Sequence, residues 1–270
     1  HMSMTMKKVL AICLLLVCTF PLLAQKIYQV NEVSEINLGD GRFLYRDAKK
    51  EKPLNGEFRI IDGYRSQYVQ AEFKEGMFDG KYQEYSHNAL RREGSYKEGR
   101  KNGLFREYVG GALTQEYTFR NDTLDGAFND LGDTLSIENY ANDLLDGEKV
   151  VFTGGVREEI QHYKAGKKDG LFVLLDYSTG KPKRETNYKN GRKNGTERVW
   201  VTSNRNDFIE TYTYVNDRRH GPYEAVYQED KQQNIKAGTL KSKGQYRSDS
   251  RSGHWISYDI TGKIEKEWDE

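Results

Sequence analysis

The sequence predicts an all-β chain, an elongated antiparallel meander of stacked β-hairpin repeats forming an open, twisted sheet. Three observations lead there. Glycine recurs as Gly56, Gly80, Gly103, Gly126, Gly147, Gly170, Gly195, Gly221 and Gly253, at spacings of 21 to 32 residues, which marks a repeat array. An aromatic residue stands seven places before each glycine from the second onward: Phe73, Tyr96, Phe119, Tyr140, Tyr163, Tyr188, Tyr214 and Tyr246. The composition is 36% hydrophobic yet 12% aromatic, with 26 Gly and only 4 Pro. That suits turn-rich strands faced with rings better than a large aliphatic core or a Pro-rich disordered segment.

Residues 1–24 stand apart. His1, Met2 and Ser3 read as a cloning remnant, and Lys7 and Lys8 then precede an apolar run over 9–18 that is too short to span a bilayer. Pro21, Leu22, Leu23 and Ala24 complete the pattern of a secretory signal cleaved before Gln25. Val17 beside Cys18 matches a lipoprotein signal poorly, so soluble export is expected, to the periplasm, the outer-membrane surface or the extracellular space. Both cysteines fall in this segment, which leaves residues 25–270 without disulfide staples, thiol catalysis or Cys-based metal sites. Losing Lys7 and Lys8 takes the formal charge from +1 to −1, and no nucleic-acid partner is expected of so neutral a chain.

Residues 25–42 read as a lead-in and 43–270 as the array of about nine units, one for each repeat glycine. Within a unit, the fourth place before the glycine holds Gly76, Gly99, Asp122, Asp143, Gly166, Gly191, Asp217 or Asp249. The place directly before it holds Asp79, Asn102, Asp125, Asp146, Asp169, Asn194, His220 or Ser252. Most of these residues tolerate positive φ or bond their own backbone, so each marks a tight turn. Two places after the glycine stand Phe58, Tyr82, Phe105, Phe128, Phe172, Tyr223 and Trp255, with Lys149 and Glu197 as exceptions. Five places after it the chain is again apolar, from Ile61 and Tyr85 to Trp200 and Tyr258. The unit is therefore strand, short turn, strand, tight turn. Places two and five point to opposite faces of a regular strand, which demands either a bulge or side chains packed on both faces. The last spacing, 32 residues, implies an insertion near 228–241.

The segments Tyr96-Lys97-Glu98-Gly99-Arg100-Lys101-Asn102-Gly103-Leu104-Phe105-Arg106-Glu107-Tyr108 and Tyr188-Lys189-Asn190-Gly191-Arg192-Lys193-Asn194-Gly195 closely resemble the MORN-repeat variant family, whose members include YwqK-type antitoxin-like proteins. The resemblance covers roughly residues 40 to 268 and implies a hairpin array that is not an enzyme. The units at Gly147 and Gly195 depart from the pattern by lacking the first aromatic.

Catalytic signals are weak. His87, His162, His220 and His254 are scattered without metal-ligand spacing, no Gly-x-Ser-x-Gly elbow occurs, and Gly39-Asp40-Gly41 lacks the third glycine and the helix of a phosphate cradle. Glu93, Glu116 and Glu185, ten places before their glycines, read as cross-strand partners for Lys or Arg. Asp122-Thr123-Leu124 and Asp133-Thr134-Leu135 match a short O-glycosylation pattern. The tight turns differ in charge, and Lys167, Lys168, Arg192, Lys193, Arg218 and Arg219 become neighbours on one edge if the hairpins stack in register. That basic edge reads either as a guard against edge pairing or as a partner-binding surface. The expected function is that of an exported, non-enzymatic scaffold binding a protein, with no cofactor and no metal. The alternative is an envelope scaffold binding glycan or anionic lipid.

Overall fold

The computed structural model describes residues 25–132 and 135–270. The signal reading over 1–24 lies outside the described residues, as do the first two residues of Asp133-Thr134-Leu135. The described residues are mostly strand. Among the described residues 22 strands form one unclosed sheet. From Gly56–Asp62 to Ile264–Asp269 successive strands pair antiparallel, with Arg100–Lys101, Leu144–Leu145 and Lys167–Lys168 each pairing with the same preceding strand as the strand that follows it. The predicted open meander is therefore the observed fold.

Non-local pairing adds two departures at the N-terminus. Lys26–Gln29 joins the first edge as a parallel strand against Gly56–Asp62. Val33–Asn37 pairs with Phe43–Asp47 in a separate two-stranded sheet, so the expected boundary after residue 42 falls inside a hairpin. From this hairpin and the loop beyond it, Val33, Tyr45 and Leu54 settle on the rings of the first units. Leu54, Phe58, Ala71, Phe73, Tyr82 and Phe105 are buried there.

The repeat glycine has a specific job. In each of the first eight units it pairs with the aromatic of the following unit, as Gly80 does with Tyr96, Gly170 with Tyr188, Gly195 with Tyr214 and Gly221 with Tyr246. Ahead of it the ladder slips. Tyr117 opposes Phe128 but Phe119 opposes Leu124, so three residues centred on Gly126 face the single residue Thr118. This is a β-bulge, and it recurs along the array. Gly126 sits at φ +127, and a methyl group on it would come within 3.2 Å of Thr118. Only glycine takes such a backbone without strain. Gly170 and Gly221 repeat the arrangement at φ +110 and +114, facing His162 and Thr213. In later units the facing side chain also caps a carbonyl of the bulge: Asn139 Nδ2 donates to Glu148 O at 2.8 Å, Asn187 Nδ2 to Thr196 O at 2.9 Å and Thr213 Oγ1 to Pro222 O at 3.0 Å.

Gly253 corrects the idea of nine equivalent repeat glycines. It faces no repeat aromatic; its N–H donates to Glu270 O and its carbonyl accepts from Glu270 N–H, both at 3.1 Å. Its φ is +68, and nothing stands within 4 Å of where a methyl group would lie. The crowding at the bulges from Gly80 to Gly221 comes from the side chain eight places before the glycine, on the preceding strand. At Gly253 the ladder slips between the Gln245–Ser252 and Lys243–Ile256 pairs, so the residue opposite the bulge is Gly244, which has no side chain.

Both ways of resolving the strand parity are used. The bulge keeps the ring two places after the glycine on the same face as the ring seven places before it. The residue five places after it goes to the other face, where Ile61, Tyr68 and Tyr85 oppose one another in register and the two tyrosines stack at 4.5 Å. The predicted insertion is the loop after Arg218–Tyr227, closed by the Asp230–Ile235 bridge with Ile235 buried.

Candidate functional site

The inner face carries a row of rings. Tyr28, Phe58, Phe73, Phe78, Tyr96, Phe105, Phe119, Tyr117, Phe128 and Tyr140 form an unbroken series with centroids 4.8 to 6.2 Å apart, mostly tilted or edge-to-face as ring quadrupoles prefer. A second series runs Tyr163, Phe172, Tyr188. A third runs from Tyr214 through Tyr212, Tyr223 and Trp255 to Trp268. In the densely packed units the place nine before the repeat glycine holds either another ring of the row, as Tyr117 and Tyr212 do, or a small residue. Ala71 lies opposite Phe58, while Gly94 and Gly244 leave their positions empty, so that a methyl group there would meet the Phe105 ring at 2.5 Å and the Trp255 ring at 2.2 Å.

The two gaps in the row fall at Lys149 and Glu197, where the sequence departs from the repeat. Lys149 Nζ lies 2.6 Å from Glu138 Oε1, and Tyr140 donates to the same carboxylate at 2.7 Å. Glu197, only 4% exposed, accepts from Lys193 Nζ at 2.6 Å and from Thr186 Oγ1 at 3.0 Å. Burial alone would raise the Glu197 carboxyl, but the Lys193 ammonium and the Tyr214 and Thr186 hydroxyls hold it below its ordinary value. Burial and the neighbouring carboxylates push Tyr140 and Tyr214 up to about 12.

The tight turns share one edge and interlock. In eight successive turns, the backbone N–H four places before a repeat glycine donates to the carbonyl two places before the preceding one, as Gly99 does to Phe78 and Asp217 to Lys193. A side chain adds a second link in one of two ways. Where the fourth place is Asp, its carboxylate accepts from the preceding turn: Asp122 from Lys101 N–H at 2.7 Å, Asp217 from Lys193 N–H at 2.7 Å, Asp249 from Arg219 N–H at 2.9 Å, and likewise Asp143 from Leu124 N–H. Where the fourth place is Gly, the preceding unit supplies the acceptor just before its own glycine: Asn55 takes Glu75 N–H at 2.8 Å, Asp79 takes Glu98 N–H at 3.3 Å, Asp146 takes Ala165 N–H at 3.0 Å and Asp169 takes Asn190 N–H at 3.1 Å. Both residues of each turn tip have positive φ, for example Asn216 and Asp217 at 48° and 71°, the backbone of a type I′ hairpin.

This geometry brings the predicted basic residues to one edge but divides each pair. Strand alternation leaves Lys167, Arg192 and Arg218 exposed and turns Lys168, Lys193 and Arg219 inward. Lys168 Nζ lies 4.9 and 5.0 Å from the Phe172 and Tyr188 centroids, Lys193 is held by Glu197, and the Arg219 guanidinium lies 4.4 Å from the Tyr246 centroid and 3.6 Å from Asp249. Three of the six thus belong to the ring face. Glu93 and Glu116 both pair with Arg106, at 3.7 and 2.7 Å, and Glu185 with Arg198 at 3.6 Å. His162 bonds the Leu171 carbonyl at 2.7 Å and His254 lies 3.0 Å from Asp269. Among the described residues no three His, Cys, Asp or Glu side chains come together as metal ligands.

The ring face, built from the repeat aromatics that the sequence marks as structural positions, is roofed unevenly. Phe58, Phe73, Tyr82 and Phe105 are buried, whereas Tyr140, Tyr163, Phe172, Tyr188 and Tyr214 are half-buried. The signal in the sequence is the pair of exceptions, Lys149 and Glu197, which bracket the open stretch. No family model matches this chain and no curated protein matches its sequence.

Proposed function

We propose that the chain is a non-enzymatic scaffold that binds a protein partner on the open stretch of its ring face, between Tyr140 and Tyr214. One observation carries this reading: half-buried tyrosine and phenylalanine rings alternate there with inward-facing Lys168, Lys193 and Glu159. Amphipathic aromatic surface of this kind supplies much of the contact energy at protein interfaces. The resemblance of the repeats to the MORN-repeat variant family supports an antitoxin- or immunity-like partner relation, and the basic start of the chain supports export. Lys167, Arg192 and Arg218 would border the interface.

Site-specific photo-crosslinking tests it. A benzophenone amino acid at Tyr163 or Tyr188 is expected to yield discrete protein adducts from an envelope extract, and one at Tyr68 on the opposite face is not. The adducted protein, purified, should bind the unmodified chain. Equal adducts from both faces, or none alongside retention on a glycan array or anionic liposomes, would replace the protein partner with the glycan or lipid alternative.

A further inference from the structure

Within the open stretch lies a cleft of about 180 Å³, set between the two charged gaps in the ring row. Phe172 is its floor. The neighbouring strands place Gln161 and Thr186 on either side of that ring, where the densely packed units have a ring or bare glycine, and the lower side chains leave the depression. Lys168 enters from the turn edge, over the Phe172 and Tyr188 faces. Arg184 enters from the far side, on the rank of Leu174.

These two cations differ from their equivalents elsewhere. Lys193 and Arg219, at the turn place of Lys168, each have a carboxylate within 4 Å, and Arg92, at the strand place of Arg184, pairs with Glu84 and Glu107. No ion pair forms at Lys168 or Arg184 among the described residues. Lys101 shares the unpaired state of Lys168, but it lies over Phe105 and Phe119 in the densely packed units. The one carboxylate in the cleft, Glu159, is engaged by the Gln161 amide. The lining therefore carries a net single positive charge above an aromatic floor.

We propose that this cleft receives an acidic segment of the partner protein, an Asp or Glu side chain paired with Lys168 and Arg184 beside an apolar side chain resting on Phe172 and Tyr188. The proposal deepens the scaffold reading and rests on it. Guanidinium and ammonium groups at the rim of a half-dry aromatic surface favour a carboxylate more than the same groups in open water. A floor the size of one side chain selects for a single apolar neighbour.

The test is direct titration of the full chain with the fluorescein-labelled, amide-capped peptide Gly-Gly-Glu-Leu-Glu-Gly-Gly, read by fluorescence anisotropy and by the aromatic proton resonances of Phe172 and Tyr188. Saturable binding that weakens with salt is expected. Replacing Glu by Gln in the peptide should weaken it about tenfold or more, and so should Arg184→Gln, a change at an exposed residue that leaves the fold intact. Lys168→Gln should do the same, and Glu159→Gln should tighten binding by about threefold through loss of a like charge. Absence of binding, equal binding of the Gln peptide, or indifference to Arg184→Gln overturns the proposal. So does displacement of the peptide by oligogalacturonate at equal concentration, which would assign the cleft to an acidic polysaccharide. A photo-crosslinked partner that persists when the peptide fails to bind would leave the scaffold reading standing and remove only this cleft from it.

Discussion

The roofed units around Phe58–Phe105 and the open units around Tyr163–Tyr188 follow one repeat pattern and end in different physical states. In the first group a small residue, Ala71 or Gly94, lies under each ring, and Val33, Tyr45 and Leu54 close the face, leaving Phe105 with no exposed surface. In the second, Gln161 and Thr186 replace the small residues, the bracketing rings become Lys149 and Glu197, and Phe172 is left half-buried beneath the Lys168 ammonium. The bulge and the interlocked turns make the sheet. The places two after and nine before the glycine decide whether a unit is core or surface.

The largest expected effect separates the two groups outright. Phe105→Ala should cost about 3 to 5 kcal/mol, as for other fully buried rings, while Phe172→Ala should cost about 1 to 2 kcal/mol because water already reaches that ring. Because repeat arrays need not unfold in one step, hydrogen exchange of the flanking strands is the better measurement, and equal losses would erase the distinction.

Next come the charged gaps. Glu197→Ala strands the Lys193 ammonium and should destabilise by about 3 kcal/mol. The double change Glu138→Tyr with Lys149→Phe copies the Tyr117 and Phe128 pair, joins the first two ring series and should be neutral or stabilising by about 1 kcal/mol. Urea midpoints for both variants would show whether the gaps are required by the fold or kept in spite of it.

A smaller effect tests the turn links, which both regions share. Asp217→Ala removes the acceptor for Lys193 N–H and should cost about 1 kcal/mol. Asp125→Ala, at a place where Asp143 already supplies the link, should cost less than about 0.5 kcal/mol. Similar losses at both would break the two-way rule.

The smallest effect is a pH dependence. Tyr140 and Tyr214 titrate near 12 in the folded chain against 10 for an ordinary tyrosine. A raised folded value means the stabilisation is complete below pH 10 and is lost as pH rises from 10 through 12. Burial pushes Tyr96, packed on Phe105, up to about 12 as well. Exchange monitored across that window should therefore loosen the strands around Phe105 together with those around Tyr140 and Tyr214. Loosening confined to the open stretch would mean that its tyrosines alone are held by their neutral form.

Much of this is legible in the sequence, and for a definite reason. The repeat glycine and the ring seven places before it are fixed by backbone conformation and burial within one hairpin and its neighbour, so their spacing survives along the array. Gly253 keeps the spacing without the crowded bulge, because spacing alone does not say what lies across from a glycine. Gly94 and Gly244 escape sequence reading for the same reason: their meaning depends on the ring opposite, and that register is set by loop lengths that vary between units. The Asp and Asn at the turns read as local turn formers, yet their carboxylates and amides bond the next turn. The division of Lys167 from Lys168 follows from strand alternation alone and is open to direct reading. Neither the parallel strand Lys26–Gln29 nor the roofing by Leu54 leaves a periodic trace.

The two ways of linking turns also constrain how such an array can be rearranged. A unit whose turn carries Gly76, Gly99, Gly166 or Gly191 depends on Asn or Asp immediately before the preceding repeat glycine, and Asn55, Asp79, Asp146 and Asp169 are found there. A unit carrying its own Asp makes no such demand, which is why His220 is accommodated ahead of the turn of Asp249. Units are thus not freely interchangeable. A recombination that set a glycine-type turn behind His220 would leave an amide without its acceptor, whereas one that set an aspartate-type turn there would preserve the link. The array can lengthen or shorten by exchange, but only at junctions its own hydrogen bonds permit.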